Sequence, residues 1–222
     1  MSKHLTIAVD AMGGDNSPEK VIHGISLHSL SSEDVIYKIF GNKKLIDPFI
    51  KKYKITNDFE IIHTDEIISN EDSALTAAKK GRNSSMWLAI QSVKEKNSDV
   101  VLSAGHTGAL FIIAKLNLEM IRNIDKPALS ALWPNKYGMN IVLDLGANIE
   151  CNEKNLSDFS LMGSALHNAL YPNEITKVAL LNIGSEEVKG NNIIKNTYKI
   201  LNENRHPLFK FCGYIEGNHI MD

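Results

Sequence analysis

Short apolar runs alternate with amphipathic segments along most of the chain. The runs lack the regular polar positions of half-exposed strands, so they predict strands that are buried on both faces. Segments with apolar residues at helical spacing follow most of them. The predicted strands are Leu5–Asp10, Val35–Phe40, Phe59–His63, a run that begins at Val100, Ala128–Trp133, Asn140–Leu145, Lys177–Asn182 and Lys210–Tyr214.

Helices are predicted between these strands from capping residues and apolar spacing. The first begins at Pro18 behind a Ser17 cap, and a later one begins behind Ser84 or Ser85. The others are Leu45–Tyr53, a helical turn at Ala74–Lys80, a helix after Gly108 that runs to about Arg122, Asn155–Leu170, and one that ends near Asn204.

This alternation predicts an α/β protein, a three-layer αβα sandwich with a mainly parallel, Rossmann-like sheet. The one hairpin-like connection is the turn Pro134–Gly138. A chain of 222 residues can form one large domain or two small subdomains, and we expect a single domain over residues 1–222.

Four of the predicted strand ends carry small and polar residues. In parallel α/β sheets, ligands bind beyond the carboxyl ends of the strands. We therefore expect these four junctions to meet at one edge of the sheet and to form the functional site. They are Asp10–Asp15, Ser103–Gly108, Asp144–Asn148 and Asn182–Gly190.

The stretch Val100–Leu110 is an apolar strand that runs through small residues into a helix. The free N–H groups and the positive dipole end of such a helix favour a phosphate or a developing oxyanion. The residues that would line this site are Ser103, Gly105, His106, Thr107 and Gly108. A plain loop with Thr107 as the helix cap explains the same residues.

Two carboxylates also stand at predicted strand ends, Asp10 and Asp144. They could orient hydrogen-bond donors or coordinate a cation. Equally, they could cap a helix or brace a loop.

Composition and charge exclude several classes of protein. With 43% hydrophobic and 23% charged residues, the chain is neither disordered nor a disulfide-rich miniprotein. A net charge of −2 argues against a general nucleic-acid binder. The two cysteines, Cys151 and Cys212, have no metal-ligand spacing and fit a reducing compartment. Without a signal-peptide pattern or an apolar run of about 18 residues, we expect a cytoplasmic protein.

Common catalytic motifs are missing. The chain has no Walker loop for ATP, and its first turn is not the glycine fingerprint of NAD sites. It also lacks the nucleophile elbow of serine hydrolases and the paired histidines of zinc enzymes. We therefore expect no cofactor and no metal, and a site suited to a small anion and a polar carbonyl.

Several motifs together resemble the PlsX family of bacterial phosphate acyltransferases, in order and over essentially the whole chain. They are Asp10–Asp15 (DAMGGD), Ser84–Met86, Ser103–Leu110 (SAGHTGAL), Asp144–Asn148 (DLGAN), Asn182–Gly190 and Glu216–Gly217. The resemblance implies transfer of a fatty acyl group from acyl carrier protein to inorganic phosphate, which gives an acyl phosphate for phospholipid synthesis. It also implies a fold related to isopropylmalate dehydrogenase and phosphotransacetylase, a homodimer, and peripheral contact with the membrane and the glycerol-3-phosphate acyltransferase.

The sequence departs from the family pattern at three places. His106 stands where the family usually has asparagine, and Ser73 stands where proline is expected. Family chains also continue well past Glu216–Gly217, so we expect this chain to lack the C-terminal part of the domain.

The chemistry of this reaction suggests roles for the motif residues. Phosphate is already an anionic nucleophile, so positioning and charge stabilisation should suffice. As catalytic residues we expect His106, Asn148, Asn182 and Lys189. The expected phosphate or substrate ligands are Asp10, Gly13, Gly14, Asp15, Ser84, Ser85, Ser103, Gly105, Thr107, Gly108, Asp144, Gly146 and Gly184. A basic patch of Lys79, Lys80 and Arg82 should meet the acidic carrier protein.

Two other functions are compatible with the sequence. One is a phosphotransacetylase-like enzyme that uses a short acyl-CoA, since the motifs do not encode acyl-chain length. The other is an inactive, shortened chain that acts as a scaffold for the membrane acyltransferase.

Overall fold

A computed structural model describes residues 4–69, 73–184, 189–204 and 206–221. The chain divides into two compact units, Met1–Glu119 and Met120–Asp222. Among the described residues, the first unit has three buried hydrophobic clusters and the second unit has one. The single domain expected from the sequence stays a prediction, and the units are taken in turn.

The first unit is built around a four-stranded parallel sheet in the order β3-β2-β1-β4. Its helices cover both faces of the sheet, as expected for an α/β fold with a mainly parallel sheet. In chain order the elements are β1 (Leu5–Asp10), α1 (Glu19–Ser29), β2 (Val35–Gly41), α2 (Lys43–Tyr53), β3 (Phe59–His63), α3 (Ala74–Lys80), α4 (Ser85–Lys94), β4 (Val100–Ser103) and α5 (Thr107–Leu118).

Side chains alternate between the two faces along each strand, and the central strands β1 and β2 are buried on both faces. Val9 and Ile39 belong to the cluster that includes Ile22 of α1 and Ile46 of α2. The neighbouring Ala8 belongs to a cluster with Ala89 of α4. This two-sided burial explains why the strands read as continuous apolar runs.

The second unit contains two short sheets. An antiparallel hairpin joins β5 (Ser130–Asn135) and β6 (Gly138–Leu143). A parallel pair joins β7 (Lys177–Asn182) and β8 (Lys210–Glu216), with a register shift between Val178 and Leu180. The remaining elements are α6 (Glu153–Leu170), α7 (Asn192–Glu203) and a short 3₁₀ turn at Gly217–His219.

Several predicted boundaries are wrong for local reasons. Ser17 does not cap α1, because its hydroxyl donates to the carbonyl of Gly13 at 2.5 Å and Pro18 takes the cap position. The hairpin turn is shorter than predicted, because Asn135 still pairs with Gly138 across the strands. The α5 helix ends at Leu118 instead of Arg122, where Glu119 adopts a positive φ of 63°.

The expected meeting of four junctions at one sheet edge is only partly correct. The carboxyl ends of β1 and β4 are adjacent, with Asp10 opposite Ser103. In contrast, β6 and β7 belong to separate two-stranded sheets. Within the described residues, no helix is long and apolar enough to cross a membrane.

Candidate functional site

A buried carboxylate ties together the β1 and β4 junctions. Asp10 is 1% exposed, and it accepts one hydrogen bond at each oxygen from a serine hydroxyl. The Ser85 hydroxyl of α4 donates to Oδ1 at 2.6 Å, and the Ser103 hydroxyl of β4 donates to Oδ2 at 2.7 Å. Because a buried charge is costly unless it is hydrogen-bonded, this arrangement fixes three elements relative to one another. Asp10 therefore acts as a brace in this structure.

Two glycine-containing loops pack against each other beside this carboxylate. A Cβ at Gly13 would lie 2.5 Å from Asp10 Oδ2 and 2.8 Å from the backbone nitrogen of Gly105. Gly14 has a positive φ of 86°, and a side chain there would collide with the carbonyl of Ala104. The Gly105 N–H donates to Ser103 Oγ at 3.1 Å. Only glycine fits at positions 13 and 14, and the close contact fixes the path of the chain into α5.

His106 is the N-cap residue of α5, whereas the plain-loop alternative placed Thr107 at this position. Its Nδ1 accepts a hydrogen bond from the Ala109 N–H at 3.2 Å. This bond requires an unprotonated Nδ1, which leaves Nε2 as the ring nitrogen that can donate. Thr107 is exposed, and the N–H groups of Thr107 and Gly108 have no acceptor within the described part of the chain. The amino end of α5 therefore presents two N–H groups without an acceptor, an arrangement that favours an anion.

Ser84 and Ser85 form hydrogen bonds within the protein, and their expected contact with phosphate or substrate stays a prediction. Ser84 is fully buried, caps α4 through the Trp87 N–H at 3.3 Å, and donates to the carbonyl of Gly81 at 2.6 Å. Ser85 is 2% exposed and its hydroxyl binds Asp10. Both hydroxyls therefore donate hydrogen bonds to acceptors within the protein.

The charged residues predicted around this site are on the surface. Asp15, Lys79 and Arg82 are exposed. The side chain of Lys80 lies outside the described residues. The structure leaves Lys79 and Arg82 accessible to a partner.

In the second unit, Asp144 braces the loop after β6. Its Oδ1 accepts from the Leu129 N–H at 2.7 Å, and its Oδ2 accepts from the backbone and side-chain N–H groups of Asn148 at 2.8 and 3.0 Å. The Asn148 Nδ2 also donates to the carbonyl of Pro127 at 2.8 Å. Because both protons of this amide are used, Asn148 as it stands cannot donate to an oxyanion. Gly146 is exposed with a positive φ of 88°.

Asn182 holds the loop that follows β7. It is 7% exposed, and its Nδ2 donates to the carbonyls of Gly184 at 3.0 Å and Lys189 at 3.3 Å. Its Oδ1 is buried and has no hydrogen-bond partner in the described residues. Gly190 has a positive φ of 87°, and a Cβ there would collide with this oxygen. Asn182 therefore positions the loop and has no free amide proton for an oxyanion. Gly184 is buried, whereas the Lys189 side chain is exposed.

The structure thus brings together the expected residues of β1, α4 and β4 in one place. Asp144 and Asn148 form a second cluster, and Asn182, Gly184 and Lys189 form a third. Asn155 was not singled out in the sequence, although the pattern Asn-x-x-Asn at 152–155 forms a capping box at the start of α6. Among the described residues, no group of three or more histidine, cysteine, aspartate or glutamate side chains could hold a metal ion.

Structural comparison identifies folds of the same kind. The EutD phosphotransacetylase from Staphylococcus aureus has a TM-score of 0.63 at 13% identity, over 90% of this chain and 64% of that one. A branched-chain phosphotransacylase from Enterococcus faecalis V583 has a TM-score of 0.58 at 14% identity, over 96% of this chain and 67% of that one. These similarities confirm the expected fold class.

Sequence comparison identifies much closer relatives. A phosphate acyltransferase of Pelagibacter ubique is 62% identical over 222 residues, which are 100% of this chain and 66% of that protein. The phosphate acyltransferase of Parvibaculum lavamentivorans is 43% identical over 99% of this chain and 61% of its own length. The chain therefore spans somewhat less than two thirds of these relatives. The family model described as fatty acid synthesis protein matches residues 5–222, and the chain belongs to this family.

Proposed function

We propose that this chain carries the phosphate- and acyl-binding framework of an enzyme that moves a fatty acyl group from acyl carrier protein to inorganic phosphate. Its family and the names of its relatives support this reaction. The observation that carries the proposal is the junction of Asp10, Ser103 and Gly105, which holds the amino end of α5 open to an anion.

In this reaction a phosphate oxygen attacks the thioester carbon and forms a tetrahedral oxyanion. The C–S bond then breaks, and the carrier leaves as a thiolate that takes up a proton, while the acyl group stays on phosphate. The Thr107 and Gly108 N–H groups and the helix dipole of α5 would bind the phosphate. Holding it against the thioester supplies most of the catalysis, because phosphate needs no further activation.

The charged surface residues complete this proposal. Lys189 would neutralise charge on the reacting groups, and His106 Nε2 could donate to phosphate or oxyanion while Nδ1 caps α5. Lys79 and Arg82, with Lys80, would dock the acidic carrier protein. We also assign to this protein the homodimer and the peripheral contact with the membrane and the glycerol-3-phosphate acyltransferase.

A second candidate is a phosphotransacetylase-like reaction with a short acyl-CoA. The observation in its favour is the fold similarity to a phosphotransacetylase and a branched-chain phosphotransacylase. The third alternative is an inactive scaffold for the membrane acyltransferase.

Turnover by the 222-residue chain distinguishes the three functions. Long-chain acyl carrier protein and acetyl-CoA are each incubated with the chain and phosphate, and acyl phosphate is trapped as a hydroxamate. We expect phosphate-dependent product from the carrier-bound acyl group. Product from acetyl-CoA alone would establish the second function. Binding of acyl carrier protein without product from either donor, even at high phosphate, would identify a scaffold.

A further inference from the structure

Helix α2 presents a strongly basic face to solvent. The lysines of the helix and of its C-cap are all exposed, and together they form the α2 lysine face: Lys43, Lys44, Lys51, Lys52 and Lys54. Asp47 is the only carboxylate in residues 43–54, so five lysines and one aspartate give this segment a charge of +4. Because the whole chain carries −2, the remaining residues carry −6. The segment is therefore strongly basic in a chain that is otherwise acidic.

Most of this charge has no partner among the described residues. Lys52 donates to Glu19 at 2.6 Å, and it is the one lysine of the face that forms an ion pair in this part of the chain. The ammonium groups without an ion pair there belong to Lys43, Lys44, Lys51 and Lys54. Like charges on one helix repel each other, so this arrangement is unfavourable until an external anion neutralises it.

The apolar side of α2 is occupied by the core. Ile46 is fully buried, and Phe49 and Ile50 pack against the same hydrophobic cluster. A helix that lies in a bilayer surface needs its apolar side chains for insertion. On the exposed side of α2, Leu45 is half-exposed and charged groups predominate. This face therefore favours the carboxylates of an acidic protein over a bilayer.

The α2 lysine face begins at the sheet edge where Asp10 lies. Strands β1 and β2 are parallel, and Phe40 near the end of β2 stands opposite Asp10. A single residue separates β2 from α2, so Lys43 and Lys44 lie at this edge. Lys51 is seven positions after Lys44, on the same side of the helix and about 10 Å further along its axis. The face therefore extends away from the edge that carries the proposed anion site.

We propose that the α2 lysine face is a docking surface for a small acidic protein, whose carboxylates pair with the free ammonium groups. The acyl carrier protein of the proposed function is a partner of this kind, and docking at α2 would place it beside the proposed anion site. The choice of this partner rests on the proposed function, whereas the surface is tested by binding without turnover. The face adds to the patch of Lys79, Lys80 and Arg82, which lies on other elements.

Association of acyl carrier protein with the immobilised 222-residue chain tests the surface. Lys44→Glu combined with Lys51→Glu converts two cations of the face into anions. We expect this α2 variant to associate about tenfold more slowly at low ionic strength, with little change in the dissociation rate, because surface charges act chiefly on the encounter. Salt should narrow the difference, because it screens exposed charges. An unchanged association rate would overturn the proposal.

A control variant makes the same change in net charge away from α2. Lys94→Glu combined with Lys96→Glu alters exposed lysines at the end of α4, before the amino end of β4. Association should slow by less than about threefold, since these charges lie outside the contact. Equal slowing in the control and the α2 variant would show an effect of net charge alone and would overturn the docking surface. Circular dichroism confirms that both variants fold.

The second basic patch is tested in the same way. Lys79→Glu combined with Arg82→Glu should also slow association, because both surfaces are expected to meet the same partner. Vesicles of phosphatidylglycerol, which is anionic, test a bilayer as the occupant. Vesicle binding that is lost in the α2 variant, without binding of acyl carrier protein, would overturn an acidic protein as the partner.

The hydroxamate assay separates this proposal from the proposed function. Docking that depends on Lys44 and Lys51, but without acyl phosphate as product, would support the surface and contradict the reaction. Product formation by the α2 variant with an unchanged KM for the acylated carrier would support the reaction and overturn the surface. We expect the KM of the α2 variant for the carrier to rise about tenfold, with kcat retained.

Discussion

The hydroxyl of Ser103 lies 2.7 Å from Oδ2 of Asp10, a residue 93 positions earlier in the chain. The same hydroxyl accepts from the Gly105 N–H at 3.1 Å. A single serine thus connects the end of β1 with the loop that leads into α5. The arrangement of the proposed anion site depends on this connection.

Removal of this hydroxyl should destabilise the chain. Ser103→Ala leaves a buried carboxylate oxygen and a backbone N–H without their partner, so the free energy of unfolding should fall by about 1–3 kcal/mol. Urea denaturation measures this change. Ser31→Ala removes an exposed hydroxyl that donates only to the His28 carbonyl, and should change the stability by less than about 0.5 kcal/mol. Similar losses in the two variants would contradict the role of Ser103.

Gly13 and Gly24 form a matched pair of glycines in the first unit. Gly13→Ala places a Cβ against Asp10 and Gly105, so we expect a loss of about 1–3 kcal/mol in stability and impaired turnover. Gly24 lies on an exposed face of α1 with no atom within 4 Å of a Cβ. Gly24→Ala should therefore raise stability by up to about 1 kcal/mol, because alanine favours helix. Thermal unfolding of both variants tests the contrast.

His106 has two roles that substitution can separate. Asparagine is a good N-cap residue, so His106→Asn should retain the stability of α5, whereas His106→Ala should lose about 1 kcal/mol. If the ring serves only as cap and donor, the asparagine variant keeps most of the turnover. A loss of several orders of magnitude in that variant, with normal stability, would instead make His106 an acid or base.

Asn182 should be required for the conformation of its loop. In Asn182→Asp a carboxylate oxygen replaces the Nδ2 that donates to Gly184 and Lys189, so the loop loses both bonds. We expect stability to fall by about 1–3 kcal/mol. Asn191→Asp makes the same change at the N-cap of α7, where aspartate caps equally well, and should be neutral in urea denaturation. A neutral Asn182→Asp would show that the two bonds are dispensable.

Acid should weaken the contact between α1 and α2. The hydrogen bond from Lys52, with a second from Tyr53, lowers the pKa of Glu19 below its ordinary value of 4.5. A carboxylate whose pKa is lower in the folded state than in the unfolded state stabilises the fold at pH values above the unfolded-state pKa. This stabilisation is lost as the pH falls through the folded-state pKa. Glu19→Gln should therefore lower Tm near neutral pH and have no effect in strong acid. Glu33→Gln, which removes another exposed carboxylate of this unit, should show no such pH dependence.

The sequence predicted elements well because their signals are local. Continuous apolar runs predicted the first and last residues of β1 and β7 correctly. They therefore also predicted that Asp10 lies at the end of a strand. The hydrogen-bond partners of the side chains could not be predicted from local signals. The amides of Asn148 and Asn182 are occupied by carbonyls that only the folded loops bring within reach. The hairpin of β5 and β6 was predicted from its short turn, but the pairing of the other strands was not, since periodicity does not state which strands share a sheet.

The pairing of β1 with β4 also has a kinetic consequence. Strands β1 to β3 pair over short sequence separations, but the contact between Asp10 and Ser103 closes a loop of 93 residues. Contacts between residues far apart in the sequence form late in folding, because the entropy of the chain between them must be lost before the contact stabilises the fold. The anion site should thus be absent from early folding intermediates, and phosphate should slow unfolding without accelerating the first steps of folding.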